Sequence, residues 1–215
     1  MACQFTEKDK KSIQKFQTLD WQNLRSHHSK VLTPDQKFFR LQYGSHGGNH
    51  VYFNRNGKET RFGLCQEKVG TMYVSLHEMT AMKEVFQNVF ALTEVDLRQY
   101  FMGEIQLKQT LSVLDTTILL ARSNVKLHEL TSPNRHVTQM LAKWAYRAGF
   151  DGIEFLSNVT GKNCWALWAD TQKYTVAGIG LAETVKQTVL SELVIDGIDA
   201  IDVLIEQLNI SVEAT

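Results

Sequence analysis

The stretch from residue 61 to residue 86 constrains this chain more than any other. It begins Arg61-Phe62-Gly63, passes through Thr71-Met72-Tyr73-Val74, and continues Ser75-Leu76-His77-Glu78-Met79-Thr80-Ala81-Met82-Lys83-Glu84-Val85-Phe86. The pattern predicts a loop, a short strand at Met72-Tyr73-Val74, and a helix that starts sharply. Ser75 fits a helix N-cap and Glu78 stands three residues later, the spacing of a capping box. Met79, Met82, Val85, Phe86 and Val89 then recur at helical spacing and predict a core-facing stripe, with Glu84 roughly opposite. A strand running straight into an amphipathic helix requires both element types in one core, so the chain is an α/β or α+β domain.

The flanking sequence extends this reading. Ile13, Phe16, Leu19 and Leu24 predict one or two helices before the core. Phe38 to Tyr43 predicts a first strand. A polar loop follows from Gly44 to Gly57, centred on Gly47-Gly48-Asn49. Tyr100 to Leu107 and Leu111 to Leu120 read as β. Ser132 as cap, Pro133 at the first helical position and Gly149 at the exit frame a helix. Its apolar face is Val137, Met140, Leu141, Trp144, Ala145 and Ala148. Gly152 to Leu156 and Trp165 to Ala169 predict two more strands. Glu183 to Val194 and Ile198 to Asn209 read as closing helices. The expected organisation is a helical extension over 1–37, a core domain over 38–175, and a helical extension over 176–215 packed on the same unit.

Composition narrows the function classes. The chain has 215 residues, and its 23 basic and 23 acidic side chains leave no net charge. No long-range field draws it to DNA or to an anionic membrane. The N-terminal stretch is too polar for a signal peptide, and no apolar run is long enough to span a bilayer. A cytoplasmic protein without direct nucleic-acid or membrane contact is expected. Cys3, Cys65 and Cys164 are far apart and odd in number, which points to free thiols rather than a zinc site or disulfides. His27-His28 and His46 with His50 have no cysteine or carboxylate to complete a ligand set, so no metal is expected. Gly44 to Gly48 lacks both P-loop and dinucleotide-fold spacing.

Three segments, in order, carry a resemblance. Arg40 lies in the first strand. Arg61-Phe62 is followed by Tyr73 twelve residues on and by Glu84 eleven after that, with the small pair Thr80-Ala81 just before Glu84. Ala148-Gly149-Phe150 then precedes the run Gly152-Ile153 to Ser157. Together these resemble the RES domain family, many of whose members degrade NAD. The resemblance covers roughly Phe39 to Ala169. The glycine-bearing loop departs from the family's best-known toxins, and the long separation of Glu84 from Ser157 predicts an expanded β region between them.

The resemblance implies an α+β fold like that of ADP-ribosyltransferase toxins: two small sheets, flanked by helices, with a cleft between them. It implies NAD as substrate, inorganic phosphate as a conceivable co-substrate, and cleavage of the nicotinamide–ribose bond. Glu84 would stabilise the positive ribose carbon, Tyr73 would stack on nicotinamide, and Arg40 and Arg61 would hold the pyrophosphate. Ser157 would donate to a ribose hydroxyl or a phosphate. The partner implied is a helix-turn-helix antitoxin of the Xre type, and a homodimer is the other assembly considered. Two readings compete. One is a transferase that moves ADP-ribose onto a protein or nucleic acid; Met82, two before Glu84, disfavours an arginine acceptor. The other is a non-catalytic binding module. Each residue also has an ordinary role open to it: a solvated Glu, a packed Tyr, an Arg with a buried stem, a Ser that starts a loop.

Overall fold

The computed structural model describes residues 5–56, 60–64, 69–170, 178 and 180–214. Cys3, Cys65 and the expected boundary at 175/176 lie outside them.

The central strand is β3 (Val69–Ser75), longer than the three residues expected. It pairs antiparallel along its length with β8 (Asn163–Asp170), from Val69 against Asp170 to Ser75 against Cys164. On its other side lies β2 (Lys37–Tyr43), joined to β3 by one residue pair, Phe39 with Ser75. β2 instead pairs over seven residues with β5 (Tyr100–Leu107), and β5 pairs with β9 (Ala182–Val189). Beyond β8 come β7 (Gly152–Leu156), β6 (Leu111–Asp115) and β1 (Ser29–Leu32). The order is β1-β6-β7-β8-β3-β2-β5-β9. This sheet is therefore two small sheets, of five and three strands, hinged at one pair. That agrees with the expected α+β architecture.

Helices cover the five-stranded half. α1 (Glu7–Gln17) and α2 (Trp21–His27) lead into β1. α5 (Thr116–Arg122), α6 (Leu127–Leu130) and α7 (Arg135–Arg147) cross from β6 to its parallel neighbour β7. Phe16, Leu141, Phe150, Ile153, Ala166 and Trp168 belong to the core they share with the sheet. Alternate residues of β8, Trp165 and Leu167, join Phe38, Phe53 and Met72 in a second cluster. β8 is thus buried on both faces, which is why it reads as an unbroken apolar run. A third cluster gathers Leu41, Met82, Phe86, Met102, Leu190 and Leu204 around α3 (Glu78–Val85), the short β4 (Ala91–Thr93) and α4 (Glu94–Leu97), and the C-terminal segment.

Several expectations are corrected. Neither terminal extension is wholly helical. Ser29–Leu32 forms the edge strand β1, and Ala182–Val189 forms the opposite edge, β9, where a helix was expected. The run Thr184-Val185 and Thr188-Val189 is rich in β-branched residues, and pairing with β5 decides its state. The second closing helix does form, as Ala200–Asp202 (α8) continuing through a π turn at Val203–Gln207. Strand β6 stops at Asp115, whose side chain accepts from the Thr117 and Ile118 amides and starts α5; the β-branched Thr116-Thr117-Ile118 concealed that cap. α3 is capped at His77 without a side-chain bond; Ser75 instead donates to the His77 carbonyl at 2.6 Å. α7 begins after Asn134, two residues later than Ser132 suggested. In α3 the buried side chains are Thr80, Ala81 and Met82, while Val85 is exposed.

The N-terminal helix is fastened by a buried carboxylate. Glu129, 3% exposed, accepts from Ser12 Oγ and Lys15 Nζ of α1, each at 2.9 Å, and from the Lys126 amide at 2.8 Å. Burial raises its pKa, but the bonds from Lys15, Lys126 and Ser12 outweigh it and hold the carboxyl below 4.5. The folded value is the lower one, so this stability is present above the ordinary carboxylate range and is lost as pH falls through the folded value. Glu129→Gln should cost about 1–3 kcal/mol at pH 7, the scale for a buried charged hydrogen-bond acceptor. Denaturant melts of both proteins should show the gap narrowing as pH falls below the ordinary carboxylate range; a gap that stays constant on acidification would refute this.

Candidate active site

Past the Phe39–Ser75 pair, β2 and β3 separate, and a cavity of about 750 Å³ opens between them. Arg40 on β2, Arg61 in the segment 60–64, Tyr73 on β3 and Glu84 on α3 all line it. Four of the five residues singled out in the sequence therefore meet in one place. Ser157 does not line the cavity. It is buried at the end of β7, where its Oγ accepts from the Val159 amide at 3.2 Å and the Thr160 amide at 3.1 Å. Its neighbours Asn158 and Val159 reach the cavity instead. Turn closure is the role its contacts describe.

Among the described residues, Glu84 is the one carboxylate in the lining. Its helix buries Met82 completely, so the position two before Glu84 faces the core rather than the cavity. Tyr73 presents its ring to the cavity, edge-on to Phe155 at 6.1 Å between centroids. Its hydroxyl accepts from the Phe62 amide at 2.8 Å, and burial pushes its pKa up to about 12. The phenol is thus neutral at physiological pH and serves as a latch.

Other side chains also hold the segment carrying Arg61. Gln139 Nε2 donates to the Thr60 carbonyl, Thr138 Oγ1 lies against the Arg61 carbonyl, and Trp168 Nε1 donates to the Phe62 carbonyl at 3.0 Å. The guanidinium itself is fixed by Asn158. With its amide oxygen turned toward Arg61, that oxygen accepts from Nη2 at 2.8 Å and Nη1 at 3.2 Å. Burial lowers the Arg61 pKa and nearby Arg135 adds to this, while Glu84 and Tyr73 act the other way.

Arg40 is held differently. Its Nη1 donates to the carbonyls of His50 at 3.1 Å and Tyr52 at 2.9 Å, clamping the loop after β2. Burial brings its pKa down to about 10, which leaves it cationic at neutral pH. His50 is fully buried on that loop, packed where a Cβ on Gly103 would lie only 2.2 Å from its ring. Burial, then the charges of Arg40 and His46, push it down to about 4, so it is neutral. None of Gly44 to Gly48 lines the cavity.

The sequence reading missed Arg135, which lines the cavity from the first turn of α7, and Asn158. Arg135 left no signal beyond its place beside the helix start; Asn158 lay one residue past the candidate Ser157. Cys164 also lines the cavity, but burial, and then Glu84, raise its thiol to about 12, which suits a packed thiol rather than a nucleophile. Among the described residues, no three His, Cys, Asp or Glu side chains group as a metal site. No described helix is long and apolar enough to cross a membrane.

The family model for the RES domain matches residues 39–181. No curated protein matches the chain. Among solved structures, a chain from the crystal structure of the M. tuberculosis MbcT–MbcA toxin–antitoxin complex superposes with a TM-score of 0.56 at 13% identity, over 82% of this chain and 90% of that chain. At that identity the likeness shows a common fold.

The Tyr73 latch gives a direct check. Tyr73→Phe keeps the ring and removes the acceptor for the buried Phe62 amide, at a cost of about 1–2 kcal/mol. Hydrogen exchange at the Phe62 amide should accelerate, and the thermal midpoint should fall. Unchanged protection at Phe62 would mean that the hydroxyl does not hold the segment.

Proposed function

The chain belongs to the RES domain family, and on that premise we propose that it cleaves the nicotinamide–ribose bond of NAD and acts as the toxin of a toxin–antitoxin pair. The observation that carries this reading is the meeting of Arg40, Arg61, Tyr73 and the carboxylate Glu84 in one cavity. A cavity of about 750 Å³ suits a dinucleotide partly exposed at its mouth.

The chemistry follows from charge. NAD carries a positive nicotinamide ring and a negative pyrophosphate. When the C1′–N bond breaks, its electron pair goes to the ring nitrogen and nicotinamide leaves neutral. The positive charge moves to the ribose carbon and its ring oxygen. The Glu84 carboxylate stabilises that oxocarbenium-like state. The Tyr73 ring offers a face for nicotinamide, and the arginines hold the phosphates. Water adding to C1′ and losing a proton to solvent gives ADP-ribose. A phosphate oxygen adding there gives ADP-ribose-1-phosphate. Burial of Met82 in the core removes the side chain that would recognise an arginine acceptor, which favours a small acceptor over protein modification.

The toxin assignment draws support from the fold shared with a chain of a toxin–antitoxin complex. The proposed partner is an antitoxin that carries the DNA contact through a helix-turn-helix region and closes the cavity with its tail. The zero net charge of this chain suits that division of labour.

The test is NAD turnover by the purified protein, with products weighed by mass spectrometry with and without inorganic phosphate. Nicotinamide release is expected. Glu84→Gln should reduce it by roughly two to three orders of magnitude, the scale for removing one preorganised electrostatic group. NAD binding should stay within a few-fold. A folded Glu84→Gln protein with full turnover would exclude Glu84 as the stabilising carboxylate.

A further inference from the structure

Three guanidinium groups, from Arg40, Arg61 and Arg135, face the cavity. They are not equivalent. Arg40 gives its Nη1 to two carbonyls of its own loop. Arg61 and Arg135 come from distant parts of the chain but share an anchor. Thr138 is fully buried one turn along α7 from Arg135. Its Oγ1 sits against the backbone carbonyl of Arg61 and, at 3.0 Å, against that of Arg135. Two carbonyls meeting at one hydroxyl bring the two backbones side by side, and both side chains then enter the same cavity.

Among the described residues Glu84 is the carboxylate that acts on Arg61, and it forms no ion pair with it. Among the described residues Arg135 takes part in no ion pair. The Arg61 guanidinium is fixed by a neutral amide, Asn158. Burial is the main cause of the lowered Arg61 pKa; Glu84 opposes it, and the like charge of Arg135 adds a smaller lowering. A shared anion reverses the sign of the interaction. A phosphate group has several peripheral oxygens and matches two planar forks approaching from different sides.

We propose that Arg61 and Arg135, set side by side through Thr138, form a clamp for one phosphate group. This rests on reading the cavity as a dinucleotide site. The phosphate comes either from the NAD pyrophosphate or from free inorganic phosphate arriving as acceptor. The clamp gives Arg135 a binding role and leaves Arg40 chiefly to order the loop after β2.

Titration calorimetry on the intact chain tests this with ADP-ribose, adenosine, inorganic phosphate and pyrophosphate. Arg135 is exposed and outside the three cores, so Arg135→Ala should fold, and a thermal melt checks it. That variant should bind ADP-ribose roughly ten- to a hundredfold more weakly, the scale of one charge-assisted contact, and adenosine as before. Arg135→Lys, which keeps the charge without the fork, should fall between. If ADP-ribose binding holds and inorganic phosphate binding weakens, the clamp stands and its ligand is the free ion. If phosphate and pyrophosphate bind through Arg135 while ADP-ribose and NAD do not bind at all, the clamp stands and the dinucleotide reading falls. Wild-type affinity of Arg135→Ala for every phosphate-bearing ligand overturns the clamp, whatever the NAD turnover.

Discussion

Phe39 and Ser75 form the only residue pair between β2 and β3, and the arrangement of the site depends on that short join. Twisted strands that pair along their full length leave no space between them. Here β3 gives its whole length to β8, and β2 gives its whole length to β5, so each finds its hydrogen-bond partners away from the other. The sheet can then open without leaving long rows of backbone groups unpaired. The opening exposes Arg40 and Tyr73, one from each lip. α3 follows β3 after two residues and carries Glu84 to the same gap.

Holding such a gap open requires rigid walls. On the β2 side, the third core cluster packs Leu41 against Met82 and Phe86 of α3 and its C-cap, with Leu204 and Ile210 from the C-terminal segment behind them. The C-terminal chain is therefore part of the wall rather than an accessory. On the β3 side, α7 supports the sheet through Val137, Leu141 and Ala145, and its first turn grips the segment carrying Arg61. α1 stands behind α7: its Asp9 accepts from Asn134 Nδ2 at the cap of α7 at 3.0 Å, and its Ser12 and Lys15 donate to Glu129. The extensions at both ends thus complete one sheet and brace one cavity.

Much of this was legible in the sequence. Strands β2, β5, β7 and β8 announced themselves by apolar runs, because each is buried on one or both faces. The grouping of Arg40, Arg61, Tyr73 and Glu84 came from ordered spacing within a family pattern, not from local propensity. What escaped depends on tertiary partners. β9 carries Glu183, Lys186 and Gln187 and is half-exposed, so its charges resembled a solvated helix until β5 supplied a ladder. Asp115 hid as the last residue of a β-rich run, though its carboxylate starts α5. Ser157 and Asn158 are adjacent, and only the course of the turn decides which one faces the cavity. Arg135 carried no pattern at all, since its relation to Arg61 exists only through Thr138.

The last step concerns the cost of gathering positive charge. Arg61 belongs to no helix or strand, and an arginine on a free loop would move away from Arg135 and hydrate. It does not, because Thr60, Arg61 and Phe62 are fixed by side chains from three elements: Gln139 and Thr138 of α7, Tyr73 of β3 and Trp168 of β8. These bonds hold backbone atoms, so they constrain where the guanidinium starts without using its donors. The donors toward Asn158 then fix its plane. Core packing of Trp168 and Tyr73 thereby offsets electrostatic repulsion at the site, and the charge is oriented before any ligand arrives. Preorganisation of this kind lowers the ordering that binding a ligand there would require.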